Sequence, residues 1–203
     1  MEKRPAEHWE QRYRTGDLPW DSGEVEPQLR QVLDQLHISG QRALEIGCGT
    51  GTNAIELARR GFEILALDVS QSAIDMATRK AEAAGVKGVM FQCHDIIESL
   101  PVEPASTHLV FDRGCFHAVA DEDRLVFSQR VADALRPGGY WLCLCGNADE
   151  TTEGGPPRLS AAQIAEVVEP HFEIHRLIRK HFKRPCDPAY QSHLSWQVLL
   201  RRR

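Results

Sequence analysis

Short apolar runs alternate with stretches of helical spacing along most of the chain. Residues 42–47, 63–68, 88–92, 107–111 and 140–145 read as strands. Between them, 52–60, 71–84 and 122–135 carry the helical period. Ser70 is placed to cap the second of these helices, and Gly85 follows its end. The third stops at Arg136-Pro137-Gly138-Gly139. The run from Tyr140 to Cys145 is almost wholly apolar, as expected of a strand covered on both faces. Residues 146–159 are polar and rich in Gly and Pro, a surface loop. Ser160 with Gln163 makes a capping box for a helix to Val168, which Pro170 ends. Two strands, 172–178 and 193–201, close the chain. In the second, Leu194, Trp196, Val198 and Leu200 alternate with polar residues, fitting a one-sided or edge strand. Ahead of all this, residues 6–14 predict a short helix with Trp9 and Tyr13 on one face. A turn-rich loop, 15–23, carries Trp20. A second helix follows, with Val25, Leu29, Val32, Leu33 and Leu36 at helical spacing until Ser39-Gly40.

Strands alternating with helices imply an α/β fold: a mostly parallel sheet with helices on both faces. The count is seven strands, with one antiparallel strand near the C-terminal end. No repeat or linker interrupts the pattern, so 1–203 reads as one domain, with 1–40 as a helical lid and 41–203 as the core. The formal net charge of −5 disfavours a surface that tracks nucleic-acid phosphates. The basic run Arg176 to Arg184, with Arg201-Arg202-Arg203, therefore reads as a solvated edge. No twenty-residue apolar run is present to span a membrane, and Met1-Glu2-Lys3-Arg4-Pro5 leads into charged residues instead of an apolar signal region. The six cysteines form no C-x-x-C pair, which suits reduced thiols and a cytoplasmic location. Nine histidines form neither H-x-x-H nor H-E-x-x-H, so no metal is expected. A monomer or weak homodimer is the expected assembly.

Candidate chemistry concentrates in Ala43-Leu44-Glu45-Ile46-Gly47-Cys48-Gly49-Thr50-Gly51-Thr52-Asn53. An apolar strand meets an acidic residue, then three glycines at alternate positions, then a helix. Glycines allow a sharp turn and a close backbone approach to a ligand. The helix start beyond them offers unpaired N–H groups. Asp68 ends the next strand, beside Val69, where a carboxylate can bond two ribose hydroxyls. A P-loop would need Lys-Ser/Thr after the last glycine, and none is there. A dinucleotide fingerprint would need Gly or Ala where Thr52 stands, which disfavours a nicotinamide-dependent oxidoreductase. Glu45, two residues before the first glycine, can instead serve a cationic amino group. Glu45, Asp68, Asp95 and Asp112 all fall at strand C-terminal ends, where open α/β sheets bind their ligands.

The spacing E-x-G-x-G-x-G resembles the first motif of the class I S-adenosylmethionine-dependent methyltransferases. That resemblance implies a Rossmann-like, doubly wound domain with S-adenosylmethionine as cofactor and S-adenosylhomocysteine as product. It implies that the backbone at Gly47, Cys48 and Gly49 cradles the cofactor and that Asp95 and Ile96 hold adenine. Asn53 either caps its helix or touches the ligand. An Asn/Asp-Pro-Pro-aromatic motif, found in enzymes that methylate nucleic-acid bases, is absent after the fourth strand. Phe111-Asp112-Arg113-Gly114 instead resembles the Asp-Arg-Gly turn of the thiopurine, thiol and tellurite methyltransferases. Trp9-x-x-x-Tyr13-x-x-Gly16-x-x-x-Trp20-Asp21 matches their aromatic lid in spacing. The resemblance covers the chain to about residue 145.

It implies a small-molecule acceptor, a thiol or other soft chalcogen nucleophile. Read from the residues themselves and not from the family pattern, Arg113 is placed to pair the cofactor carboxylate or the acceptor, and His117 is a candidate base. Two alternatives stay open. One is an O- or N-methyltransferase using His117 as base. The other is a non-catalytic binder of S-adenosylmethionine or S-adenosylhomocysteine.

Overall fold

The computed structural model describes residues 4–182 and 192–203. In chain order the elements are α1 (Ala6–Thr15), α2 (Pro27–Leu36), β1 (Arg42–Ile46), α3 (Thr52–Arg59), β2 (Glu63–Asp68), α4 (Gln71–Ala83), β3 (Val89–Cys93) and β4 (Thr107–Arg113). They continue as α5 (Arg124–Ala134), β5 (Leu135–Asn147), β6 (Arg158–Leu159), α6 (Ala161–Val168), β7 (Phe172–His181) and β8 (Leu194–Arg202). The sheet order is β3-β2-β1-β4-β5-β8-β7, with the two-residue β6 beside the end of β5. All pairings from β3 to β5 are parallel, and β8 runs antiparallel to both β5 and β7. Strand order reverses between β1 and β4, which opens a crevice at their C-terminal ends.

Alternation along the central strands sends side chains to two separate cores. Leu109 and Phe111 of β4, with Leu142 and Leu144 of β5, pack against Leu29 and Leu33 of α2, Leu57 of α3 and Ile74 of α4. Val110, Trp141, Cys143 and Cys145 point the other way, against Phe127 and Val131 of α5 and Ile164 of α6. Helices therefore cover both faces, as the unbroken apolar run of β5 requires. Local signals set the helix ends. Ser70 accepts from Ala73 N–H at the start of α4, and Ser160 with Gln163 forms both bonds of the capping box on α6.

Three boundaries differ from the sequence reading. The expected break at 136–139 lies inside β5, which starts at Leu135 and absorbs Pro137 and two glycines through a register shift against β4. The expected loop 146–159 contains β6, paired to Gly146 and Asn147. Val25 precedes α2: Glu26 is its N-cap and Pro27 its first residue, a proline position that loses no helix bond. The two helices ahead of β1 also differ in kind. α2 is core, with Leu29, Val32 and Leu33 buried, whereas α1 packs on α4 over the crevice. Within the basic run, Arg176 donates to Gln35 and Gln197, and Arg179 pairs with Asp149; Lys183 and Arg184 lie outside the described residues. Among the described residues no helix is long and apolar enough to cross a membrane.

Candidate active site

A cavity of about 580 Å³ opens at the C-terminal ends of β1, β2 and β4. Its size suits a cofactor and a small acceptor together. Of the candidate site residues, all but Asp112 line it.

The glycine loop is shaped as much by its neighbours as by any ligand. Gly47, Gly49 and Gly51 all have positive φ, a region costly for other residues. A Cβ on Gly47 would meet Cys115 Cβ at 2.7 Å, and one on Gly51 would meet Ala77 Cβ at 2.8 Å. A Cβ on Gly49 would meet Tyr13 Oη at 2.8 Å. Gly47 thus admits the β4 turn, Gly49 the aromatic cap and Gly51 helix α4.

Glu45 is 2 % exposed, and its Oε2 has no hydrogen-bond partner. Burial pushes its carboxyl well above the usual range, against opposing bonds from the Asn53 side chain and Ala54 N–H. Asn53 does not cap α3, whose N-cap is Gly51; its Oδ1 accepts from Glu26 N–H at 2.9 Å. Asp68 accepts from Gly49 N–H at 2.9 Å and Ser70 N–H at 3.0 Å. A carboxylate has about four acceptor positions, so two remain. Burial raises the Asp68 pKa to about 6, with the amides of Ser70 and Gly49 pulling it back. Val69, Asp95 and Ile96 line the same end; Asp95 Oδ1 accepts from Ile97 N–H at 2.9 Å, which fixes the turn after β3.

The aromatic segment lies over this end. Trp9 and Trp20 rings meet edge-on at 5.6 Å, and Trp20 Nε1 donates to Tyr13 Oη at 3.3 Å. Tyr13 is 5 % exposed. Two polar contacts fix the segment. Glu10 accepts from Ser70 Oγ (2.7 Å), Ser72 N–H (3.1 Å) and Ser72 Oγ (2.6 Å), a carboxylate seated on the N-terminus of α4. Thr50 Oγ1 donates to Asp21 Oδ2 at 2.7 Å and accepts from Lys80 Nζ at 2.6 Å.

At the other end stands the turn after β4. Asp112 is fully buried; it accepts from Phe116 N–H at 3.0 Å and Trp141 Nε1 at 2.8 Å. It therefore shapes the turn from behind and, unlike the other candidate site residues, does not line the cavity. Arg113 Nε pairs with Glu26 Oε2 at 2.9 Å, its Nη1 donates to Trp20 O at 3.3 Å, and the guanidinium lies 5.2 Å from the Phe182 ring centroid. His117 is 4 % exposed, and its Nδ1 accepts from Gly146 N–H at 2.7 Å. The proton of the neutral ring must then sit on Nε2. Burial first, then the Arg113 charge, drives the His117 pKa down to about 3. In this tautomer the ring presents Nε2–H as a hydrogen-bond donor, and the Nδ1 lone pair that the candidate role of base would need is taken by Gly146 N–H. Burial likewise pushes the Cys115 thiol up, so it stays protonated.

Residues 4–186 match the sequence profile of the thiopurine S-methyltransferase (TPMT) family. The chain belongs to that family. It is 29% identical over 171 residues to a probable thiol methyltransferase 2 of Arabidopsis thaliana, covering 84% of this chain and 75% of that one. It is 27% identical over 158 residues to a 2-heptyl-1-hydroxyquinolin-4(1H)-one methyltransferase of Mycobacteroides abscessus, covering 77% and 69%. A structure described as "Conversion of a Disulfide Bond into a Thioacetal Group during Echinomycin Biosynthesis" shares the fold, with a TM-score of 0.82, 22% identity and coverage of 97% and 92%.

The protein is thus an S-adenosylmethionine-dependent methyltransferase of small molecules. The residues present fit that cofactor. The unbonded Oε2 of the buried Glu45 carboxyl is an acceptor that a cation such as the methionine ammonium would satisfy. Sequence reasoning missed Glu10, Glu26, Phe182 and the Lys80–Thr50–Asp21 link. Only Glu26 left a readable signal, an acidic residue directly before a proline.

Proposed function

We propose that this methyltransferase acts on a thiol or another soft chalcogen nucleophile. The observation that carries the reading is the hydrogen bond from Gly146 N–H to His117 Nδ1. It occupies the lone pair that a general base would use. A hydroxyl or neutral amine generally needs such a base during transfer. A thiol with a pKa near 8.5 is partly thiolate at neutral pH and intrinsically nucleophilic. Hydrosulfide, selenium and tellurium anions need less help still.

S-adenosylmethionine supplies an electrophilic methyl group on a sulfonium sulfur. The chain's residues bind, orient and exclude water. Glu45 takes the ammonium, Asp68 the ribose hydroxyls, and Asp95 with Ile96 and Val69 the adenine. Gly47, Cys48 and Gly49 face the cofactor through their backbone, and Trp9, Tyr13 and Trp20 close over it. Arg113, flanked by Trp20 and Phe182, forms the wall beside the acceptor, and His117 Nε2–H offers the acceptor a hydrogen bond.

An acceptor panel tests this. Thiols, hydrosulfide, selenide and tellurite-derived anions are expected to outpace phenols, carboxylates and amines in S-adenosylhomocysteine release. A panel in which only oxygen or nitrogen nucleophiles are methylated, with activity lost in His117→Ala, would falsify the reading and restore His117 as base.

A further inference from the structure

Glu26 lies at the junction of the two ends of the cavity, and nothing in the reaction as described so far gives it a part. Its backbone N–H bonds Asn53, whose side chain bonds Glu45. Its Oε1 accepts from Gln28 N–H at 3.2 Å, capping α2, and its Oε2 takes Arg113 Nε at 2.9 Å. The side chain is 3 % exposed and that of Arg113 17 %, so water screens the pair little. With Nε on Glu26 and Nη1 on Trp20 O, the guanidinium has one orientation, over Phe182. Its positive charge is also cancelled locally. Among the described residues two other arginines line the cavity: Arg4 is exposed and stacked 5.7 Å from the Trp9 centroid, so solvent weakens its reach, and Arg12, 4.7 Å from the Trp20 centroid, is paired with Asp17 Oδ2 at 2.9 Å. The wall beside Arg113 is therefore polar but close to neutral.

We propose that Glu26 determines acceptor specificity. It fixes Arg113 and cancels its charge, so the site accepts soft nucleophiles on uncharged bodies and rejects those bearing a carboxylate. The proposal rests on the reading of Arg113 as the acceptor wall. A transient thiolate brings one negative charge, which the cationic cofactor matches. A second, permanent charge finds Arg113 and Arg12 already paired with Glu26 and Asp17, and must lose its water.

Thiophenol and 4-mercaptobenzoate make the test, as the ratio of their kcat/KM values. Wild type is expected to favour thiophenol. Glu26→Gln keeps the cap acceptor and removes the negative charge; it should move the ratio toward 4-mercaptobenzoate at least about tenfold, mostly through KM. Arg113→Gln leaves Glu26 unpaired and should move the ratio the opposite way. A purely structural Glu26 would lower the melting temperature and leave the ratio alone. A ratio that stays put in both folded variants, or shifts in the same direction in both, overturns the proposal. If Glu26→Gln does not fold, the Arg113→Gln shift alone decides. If wild type methylates neither thiol but does methylate phenol, the soft-acceptor reading fails. The phenol and 4-hydroxybenzoate ratio, in the same variants, then decides on Glu26.

Discussion

The two ends of the cavity are built by different means. The cofactor end comes from consecutive strand ends: Glu45 closes β1, Asp68 closes β2, and Asp95 follows β3. Backbone geometry places these groups, and each lies within a few residues of the strand that carries it. The acceptor end is gathered from separate segments. Arg113 and His117 follow β4, Glu26 begins α2, Trp20 comes from the N-terminal loop, and Phe182 follows β7. The first end is a property of the parallel sheet and its switch point. The second depends on side chains far apart in sequence meeting in space, so it can change acceptor without changing the sheet.

Given that difference, substitutions at the cofactor end should act on cofactor affinity and those at the acceptor end on turnover. The largest effect is expected at Asp68. With Asp68 on the ribose as proposed, Asp68→Ala removes two charge-assisted bonds, each about 1.5–3 kcal/mol. Calorimetry should show S-adenosylhomocysteine affinity falling at least about tenfold. Asp68→Asn, which can still accept from Gly49 and Ser70, should show a smaller loss; unchanged affinity in both removes Asp68 from the ribose site. In the wild type, affinity should also weaken as pH falls through about 6, where the buried carboxyl takes up its proton.

Next comes turnover at the acceptor end. With a thiol acceptor, Arg113→Ala should lower kcat/KM more than about tenfold and leave S-adenosylhomocysteine affinity within about threefold. His117→Ala should cost less than about tenfold. The reverse ranking would sink the assignment of Arg113 as acceptor wall.

The His117 tautomer has a stability signature of its own. Its folded pKa is about 3, against an ordinary value near 6.5. Between those values the unfolded chain binds a proton that the folded one does not, so His117 makes stability fall as pH falls. Its share of the slope reaches about 1.4 kcal/mol per pH unit. Asp68 and Asp112, both raised to about 6, act in the opposite sense between about 4 and 6. Denaturant melts of wild type and His117→Gln at pH 7, 6, 5 and 4 isolate the histidine share. The variant should lose less stability on acidification, and parallel curves would show that His117 titrates normally.

The smallest effect should come from the cap that joins the ends. Glu10→Ala removes the contact with Ser70 and Ser72. Hydrogen exchange in residues 4–24 should rise, and S-adenosylhomocysteine affinity should fall about three- to tenfold. The wild-type segment should gain protection on adding S-adenosylhomocysteine. Unaltered exchange in the variant would mean that the aromatic contacts alone hold the cap.

Periodicity, glycine spacing and capping residues determined the strands, the helices, the parallel sheet and the carboxylates at its strand ends. These features are local: a strand end fixes where its last side chain points, and a capping box needs four consecutive residues. The run 136–139 escaped because a parallel partner can carry Pro and Gly through a register shift, an influence from β4 that local propensity does not contain. Tertiary structure alone decided the rest. Arg113 lies 87 positions from Glu26, His117 lies 29 from Gly146, and Glu10 lies 62 from Ser72. No period links such pairs, yet they decide which histidine nitrogen accepts and whether an arginine is paired. Asp112 shows the same division: its place at a strand end was legible, but its burial behind the turn, bonded to Trp141, follows from how β4 and β5 pack against α5.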